Sequence, residues 1–310
     1  MTLRNVGSSG LRVSLVGLGC NNFGQRMDLE SATRVIHKAL DAGITLFDSA
    51  DVYGGRGGSE TVLGQVLGDR RKDIVLATKF ALPMDDGEKK GASRRYIMAA
   101  IEASLKRLKT DWIDLYQVHR ADPLTPIEET LRALDDLVRA GKVRYVGCSN
   151  YSPTQFVEAQ WAARHFGLNA FISCQDEYSL LKRNLDQEAL PAMQRYGLGL
   201  LPYFPLASGL LTGKHRRGAA AAGSRLSTPQ FSQFMNDRNF DIVEKLEAFV
   251  KARGHTLTEL AFSWLAARPT VASIIAGATK PEQIEANVKA AGWALNAEDL
   301  AEIDKITAAA

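Results

Sequence analysis

The stretch ITLFDSADVYGGRGGSE, Ile44 to Glu60, passes from a buried strand into a loop and leaves two polar groups where chemistry can happen. Ile44, Leu46 and Phe47 form a short apolar run that Asp48 closes, and Tyr53 follows in a segment that Gly54, Gly55, Gly57 and Gly58 keep irregular. Working outward, two further apolar runs end in ionisable side chains. IVLATK ends on Lys79 and WIDLYQVH on His119.

The rest of the chain alternates between such runs and helical periodicity. Leu3 to Val13 reads as a hairpin turning at GSSG, and Val13 to Gly19 as a first strand. Helical spacing over Leu29 to Ala42 is capped by Gly43. Strands are then expected at 44–48, Ile74 to Lys79, Ile113 to His119, Val143 to Ser149, Ala170 to Gln175, Leu198 to Phe204 and Val271 to Ala276. Helices fall between them, opening at Ser93, Pro126, Ser152–Pro153, Asp186 and Pro281, with an outer helix at Asp299 to Ala308. Ala207 to Phe240 lacks periodicity, and an irregular segment that long is usually functional. Eight strand–helix units in 310 residues, about 39 residues each, predict one (β/α)8 TIM barrel over residues 1–310, with an N-terminal β-hairpin and extra C-terminal helices. Such barrels carry their sites at the C-terminal strand ends, where Asp48, Lys79 and His119 all fall.

Bulk properties narrow the class. With 38 basic against 35 acidic residues, the chain lacks the excess expected of a nucleic-acid or polybasic membrane binder. Cys20, Cys148 and Cys174 sit apart in apolar runs and read as buried thiols, which suits a reducing compartment. No apolar run is long enough to span a bilayer, so a cytoplasmic protein is expected. The histidines show no metal spacing, and no metal is expected. GLGCNNFG lacks the third glycine of a dinucleotide fingerprint, and GLLTGKH is one residue short of a phosphate loop.

The polar residues combine into one chemistry. Asp48 can hold Lys79 charged, the ammonium should lower the pKa of the Tyr53 phenol, and His119 can donate to an oxygen that gains negative charge. That arrangement suits carbonyl reduction with hydride from a nicotinamide cofactor. A Schiff base on Lys79 is the rival, but the neighbouring Tyr53 and Asp48 suit proton transfer better.

DSADVYG, LATK, YQVH, GCSNY, PYFPLASGLLTGK and GATKPEQIEANV resemble, in order, the motifs of the aldo-keto reductases along almost the whole chain. The resemblance implies a tetrad of Asp48, Tyr53, Lys79 and His119, with Tyr53 as general acid in reduction. It also implies extended NADPH, with Ser149, Asn150 and Gln175 on the carboxamide and Tyr203 stacked on the nicotinamide. A loop from Leu206 through Ser208 and Leu211 to Lys214 would cover the pyrophosphate, and Gly277, Thr279, Lys280, Gln283 and Asn287 would surround the adenosine and its 2′-phosphate. Glutamine at 283, where many members have arginine, keeps NADH as an alternative. Phe23, Phe80 and Arg120 are expected to flank an open pocket for a small-molecule carbonyl substrate. A cofactor-binding sensor on the same scaffold, like the potassium-channel β-subunits, is the second expectation. Nothing in the sequence signals an oligomeric state.

Overall fold

A computed structural model describes residues 1–87, 89–221 and 224–308. Two short strands, β1 (Leu3–Asn5) and β2 (Arg12–Ser14), pair antiparallel. Eight more follow: β3 (Val16–Gly19), β4 (Leu46–Asp48), β5 (Val75–Phe80), β6 (Ile113–Val118), β7 (Val143–Ser149), β8 (Ser173–Glu177), β9 (Gly199–Tyr203) and β10 (Ile274–Gly277). These eight are parallel and close in the order β10-β3-β4-β5-β6-β7-β8-β9, with Ile275 beside Tyr203 at the final seam. The helices are α1 (Leu29–Asp41), the four-residue α2 (Tyr53–Arg56), α3 (Gly58–Val66), α4 (Arg94–Leu108), α5 (Ile127–Arg139) and α6 (Pro153–Phe166). They continue with α7 (Ala189–Tyr196), α8 (Asp237–Ala252), α9 (Leu257–Ala266), α10 (Pro281–Ala290) and α11 (Ala297–Ala308). The expected TIM barrel, with its hairpin and extra helices, is therefore the fold.

Strand alternation divides the core in two. Leu46, Ala77, Leu115, Leu201 and Ile275 point into the barrel, where Val6 and Val13 of the hairpin close its lower end. Their neighbours Phe47, Leu76, Tyr116 and Cys148 point outward and pack against the helices. Val13 thus belongs to the hairpin rather than to the first barrel strand, which starts at Val16. The hairpin turn is pressed onto the lower rim: a Cβ on Gly7, whose φ is +57°, would lie 2.1 Å from the Gly197 carbonyl.

The expected helix openings at Ser93 and Ser152 are capped. The Ser93 hydroxyl accepts from the Tyr96 N–H, and Ser152 and Gln155 exchange both bonds of a capping box, contacts that each contribute roughly 1 kcal/mol. The sixth strand runs Ser173–Glu177, later than expected, and the helix before β9 begins at Ala189. The aperiodic segment forms tight 3₁₀ turns at Ala207–Thr212, Arg225–Ser227 and Pro229–Phe234 before Asn236 caps α8, which packs against α11. All three cysteines are free and buried, and Cys148 and Cys174 are register partners on β7 and β8.

Candidate active site

Inward-pointing residues at the upper strand ends meet at one point. Asp48 closes β4 with 2% of its surface exposed, and Lys79 extends from β5 with none. Lys79 Nζ donates to Asp48 Oδ2 at 2.7 Å, to the Ser49 carbonyl at 2.8 Å and to Tyr53 Oη at 3.4 Å. The other carboxylate oxygen, Asp48 Oδ1, accepts from Gln175 Nε2 at 2.9 Å and Gln117 Nε2 at 3.2 Å. A buried carboxylate with donors on both oxygens is the arrangement that lets an ion pair survive away from water. Gln117 escaped sequence reasoning, although it lies two residues before His119 and therefore faces the same side of the strand.

Tyr53 reaches this pair because the chain after Asp48 turns sharply. The Tyr53 N–H donates to the Ala50 carbonyl at 3.1 Å, and Gly54 and Gly55 follow with φ of +71° and +76°. At Gly54 a side chain is excluded outright, since a Cβ would lie 2.3 Å from the Phe23 carbonyl and 2.5 Å from the Ser59 nitrogen. His119 lies just past β6, its ring edge-on to Tyr53 with centroids 5.6 Å apart. Asn150, at φ +56°, donates from Nδ2 to the His119 carbonyl at 3.0 Å and accepts the Tyr203 hydroxyl at 2.8 Å.

Electrostatics assigns protonation states. Burial pulls the Lys79 ammonium down, but Asp48 and Tyr53 outweigh it, so its pKa stands above the usual lysine value. Burial pushes the Tyr53 phenol up by more than Lys79 pulls it down, and Asp48 adds to the rise. That reverses the expected direction: the phenol keeps its proton, because desolvation of the phenolate exceeds the attraction of a cation already committed to Asp48. Burial, with Lys79 and Arg120 nearby, lowers His119 to about 2, so the imidazole is neutral and holds one N–H.

From this cluster a cavity of about 670 Å³ runs across the barrel mouth. Its lining brings together Asp48, Tyr53, His119, Ser149, Asn150, Gln175 and Tyr203 with Leu206, Ser208 and Lys214 and with Gly277, Thr279, Lys280 and Gln283. Gln283 Oε1 accepts from the Thr279 N–H at 2.7 Å and the Lys280 N–H at 3.3 Å, which fixes that loop. Leu211 and Asn287 are buried and do not reach the cavity. Phe23 and Phe80, expected at the mouth, are fully buried in the outer core. Lys79 faces inward, so its neighbour Phe80 faces outward and stacks on Tyr116, 4.7 Å between centroids. Arg120 is exposed next to His119 and does not line the cavity.

The wall suits a phosphorylated ligand. Lys214 and Lys280 are joined by Arg26 and Arg225, both missed from sequence, with Arg225 Nη2 donating to Asn22 Oδ1 at 3.2 Å. Arg225 comes from the aperiodic segment, where no pattern marks it. The lining hydroxyls of Ser208 and Ser224 are buried and have no hydrogen-bond partner among the described residues, so both can bond a ligand oxygen. Phe204, Ala207 and Ser208 hold φ of +54°, +45° and +57°, strained values for side-chain-bearing residues that cluster where a loop is shaped for binding. Among the described residues no group of His, Cys, Asp or Glu could hold a metal ion, and no helix is long and apolar enough to cross a membrane.

Comparison with known proteins gives a consistent picture. The profile of the Aldo/keto reductase family matches residues 15–308. A probable voltage-gated potassium channel subunit beta of Oryza sativa subsp. japonica is 38% identical over 94% of this chain and 91% of its own. The uncharacterized oxidoreductase YrpG of Bacillus subtilis (strain 168) is 36% identical over 97% of this chain and 94% of its own. The L-glyceraldehyde 3-phosphate reductase of Escherichia coli (strain K12) is 35% identical over 98% and 92%.

Proposed function

Because the chain belongs to the aldo/keto reductase family, whose members among its relatives include oxidoreductases, we propose that it reduces aldehydes or ketones to alcohols with NADPH, Tyr53 being the proton donor. The observation that carries this reading is the hydrogen-bonded line Asp48–Lys79–Tyr53 at the cavity floor, with a neutral His119 beside the phenol.

Tyr53 Oη holds the proton that the product needs. A carbonyl oxygen placed between Tyr53 and His119 would accept a hydrogen bond from each. As that oxygen gains charge, the Tyr53 O–H bond breaks and the alcohol O–H forms. The phenolate left behind is stabilised by Lys79, which Asp48 keeps charged, and solvent returns the proton. Preorganised donors of this type act in a site that costs no reorganisation during the reaction. Ser149, Asn150, Gln175 and Tyr203 would hold the nicotinamide end of the cofactor, and Ser208, Lys214, Arg225, Thr279 and Lys280 its phosphates. When bound, the cofactor supplies the hydride. The four cations of the wall support NADPH over NADH, even with glutamine at 283.

Tyr53→Phe should abolish NADPH consumption against a panel of small aldehydes and leave NADPH affinity nearly unchanged. A wild-type rate in that variant would sink the assignment. The rice relative's name supports a second reading, a cofactor-binding subunit with negligible turnover. NADPH fluorescence quenching without a steady-state rate on any aldehyde or ketone would favour it.

A further inference from the structure

Behind the tetrad, on the side facing the helices, lies a second buried cluster that the proposed reaction does not use. Asp51 is 1% exposed, and among the described residues neither of its carboxyl oxygens has a partner in strict hydrogen-bond geometry, the Tyr96 hydroxyl being the side-chain donor that faces it. Its backbone N–H donates to the Lys79 carbonyl at 3.0 Å, which ties it to the strand that carries the ammonium. Glu60 of α3, fully buried, accepts from Thr78 Oγ1 at 2.5 Å and from Arg107 Nε at 2.7 Å. Arg107 of α4 also donates to Ser104 Oγ at 3.3 Å, so its guanidinium is committed to Glu60 and its own helix. The remaining groups facing Asp51 are the hydroxyls of Tyr96 on α4 and Tyr116 on β6, with Asp85 beyond Tyr96.

Two carboxyl groups therefore share one guanidinium, and Glu60 has taken it. An ionised Asp51 would be an uncompensated buried charge beside a like charge, and proteins resolve that by keeping a proton on one of the pair. Asp51 lies two residues before Tyr53, within the turn whose bonds run from Tyr53 N–H to the Ala50 carbonyl and from Gly57 N–H to the Tyr53 carbonyl. The turn packs against Arg107, since a Cβ at Gly57 would lie 2.8 Å from Arg107 Cδ.

We propose that Asp51 is a positioning residue for Tyr53 and works as the neutral acid: while it holds its proton the turn stays seated on Glu60 and Arg107, and losing that proton unseats the phenol. The role of Tyr53 as proton donor comes from the function proposed above. Burial first, and Glu60 second, move the Asp51 carboxyl to about 7, against the opposing pull of Arg107, the Val52 N–H and the Tyr96 hydroxyl. Neither Tyr53, displaced upward, nor His119, at about 2, titrates in that range, and an inflection that Asp176 or Glu177, both also raised by burial, produced instead would survive in Asp51→Asn.

The first experiment measures the rate of aldehyde reduction with NADPH against pH. If one ionisation governs seating, the wild-type rate falls roughly tenfold between the acid plateau and one unit above the inflection. Asp51→Asn, which imitates the neutral acid, should keep the plateau rate and lose the alkaline fall. Glu60→Gln, which frees Arg107 to face Asp51, should move the inflection to lower pH. An unchanged inflection in both variants overturns the proposal, and a purely structural Asp51 would change amplitude without moving it. The second experiment needs no turnover. The native state holds the Asp51 proton over a range, from about 4 to about 7, in which the unfolded chain has released it, so urea midpoints should fall as pH rises through that window and level off above it. Asp51→Asn should remove this slope. Absence of any reductase activity would reject the proposed function alone, whereas equal slopes in wild type and Asp51→Asn would reject the role of Asp51.

Discussion

Asp48→Asn removes the charge facing Lys79 and little else. The amide has nearly the same volume, and its oxygen can still accept from Gln117 and Gln175, which lie 3.2 and 2.9 Å from Oδ1. Lys79 would then retain only the Ser49 carbonyl at 2.8 Å and the phenol at 3.4 Å, with no exposed surface through which to recruit water. Removing one partner of a buried pair costs about 3–5 kcal/mol, because the survivor is an uncompensated charge. With a urea slope of about 3 kcal/mol per M, the unfolding midpoint should fall by about 1–1.7 M. Lys79→Met should cost less, since the carboxylate keeps both glutamine amides. The double variant, with neither charge buried, should cost well under the sum, a coupling of about 2 kcal/mol or more. Urea unfolding followed by tryptophan fluorescence, with the four proteins at one pH and salt concentration, completes the cycle. Additive single costs, or a midpoint for Asp48→Asn within about 0.3 M of wild type, would refute the claim that this pair stands or falls together.

Further outcomes follow from the same geometry. The His119 ring nitrogens should show no titration between pH 4 and 9 in ¹⁵N NMR, because burial and the cations Lys79 and Arg120 keep the ring neutral; a shift with midpoint near 6.5 would show that the ring is open to water. Gly54→Ala should lower the melting temperature steeply and abolish reduction, since its Cβ meets backbone at 2.3 Å. Gly55→Ala, at φ +76° with open space around it, should cost only the conformational strain of about 1–2 kcal/mol. Equal losses in the two variants would mean that backbone twist, and not crowding beneath Tyr53, sets the turn.

The barrel was legible because each buried strand is a short apolar run closed by a turn residue, and Asp48, Lys79 and His119 stood out as ionisable groups at or beside the ends of three such runs. What failed was direction. Placing Phe80 at the mouth because it adjoins Lys79 ignored the two-residue period that sends neighbours to opposite faces, and the same period would have found Gln117. Phe23 was unreadable in another way. Its loop is pressed onto the turn of Tyr53, where a Cβ on Gly24 would lie 2.5 Å from Gly58, and that contact joins segments some thirty residues apart. The acidity of Tyr53 was misjudged because pairing is visible in a sequence, whereas the depth to which the pair is sunk is not.

The three buried cysteines give the molecule a built-in stopwatch. Burial first raises the pKa of Cys20 and Cys148, so a thiol-reactive dye finds neither contact nor thiolate while the strands remain closed. Labelling under native conditions would therefore count excursions in which the wall separates. Cys148 and Cys174, side by side on β7 and β8, report from a different stretch of the wall than Cys20, which follows β3 beside the β10–β3 pairing.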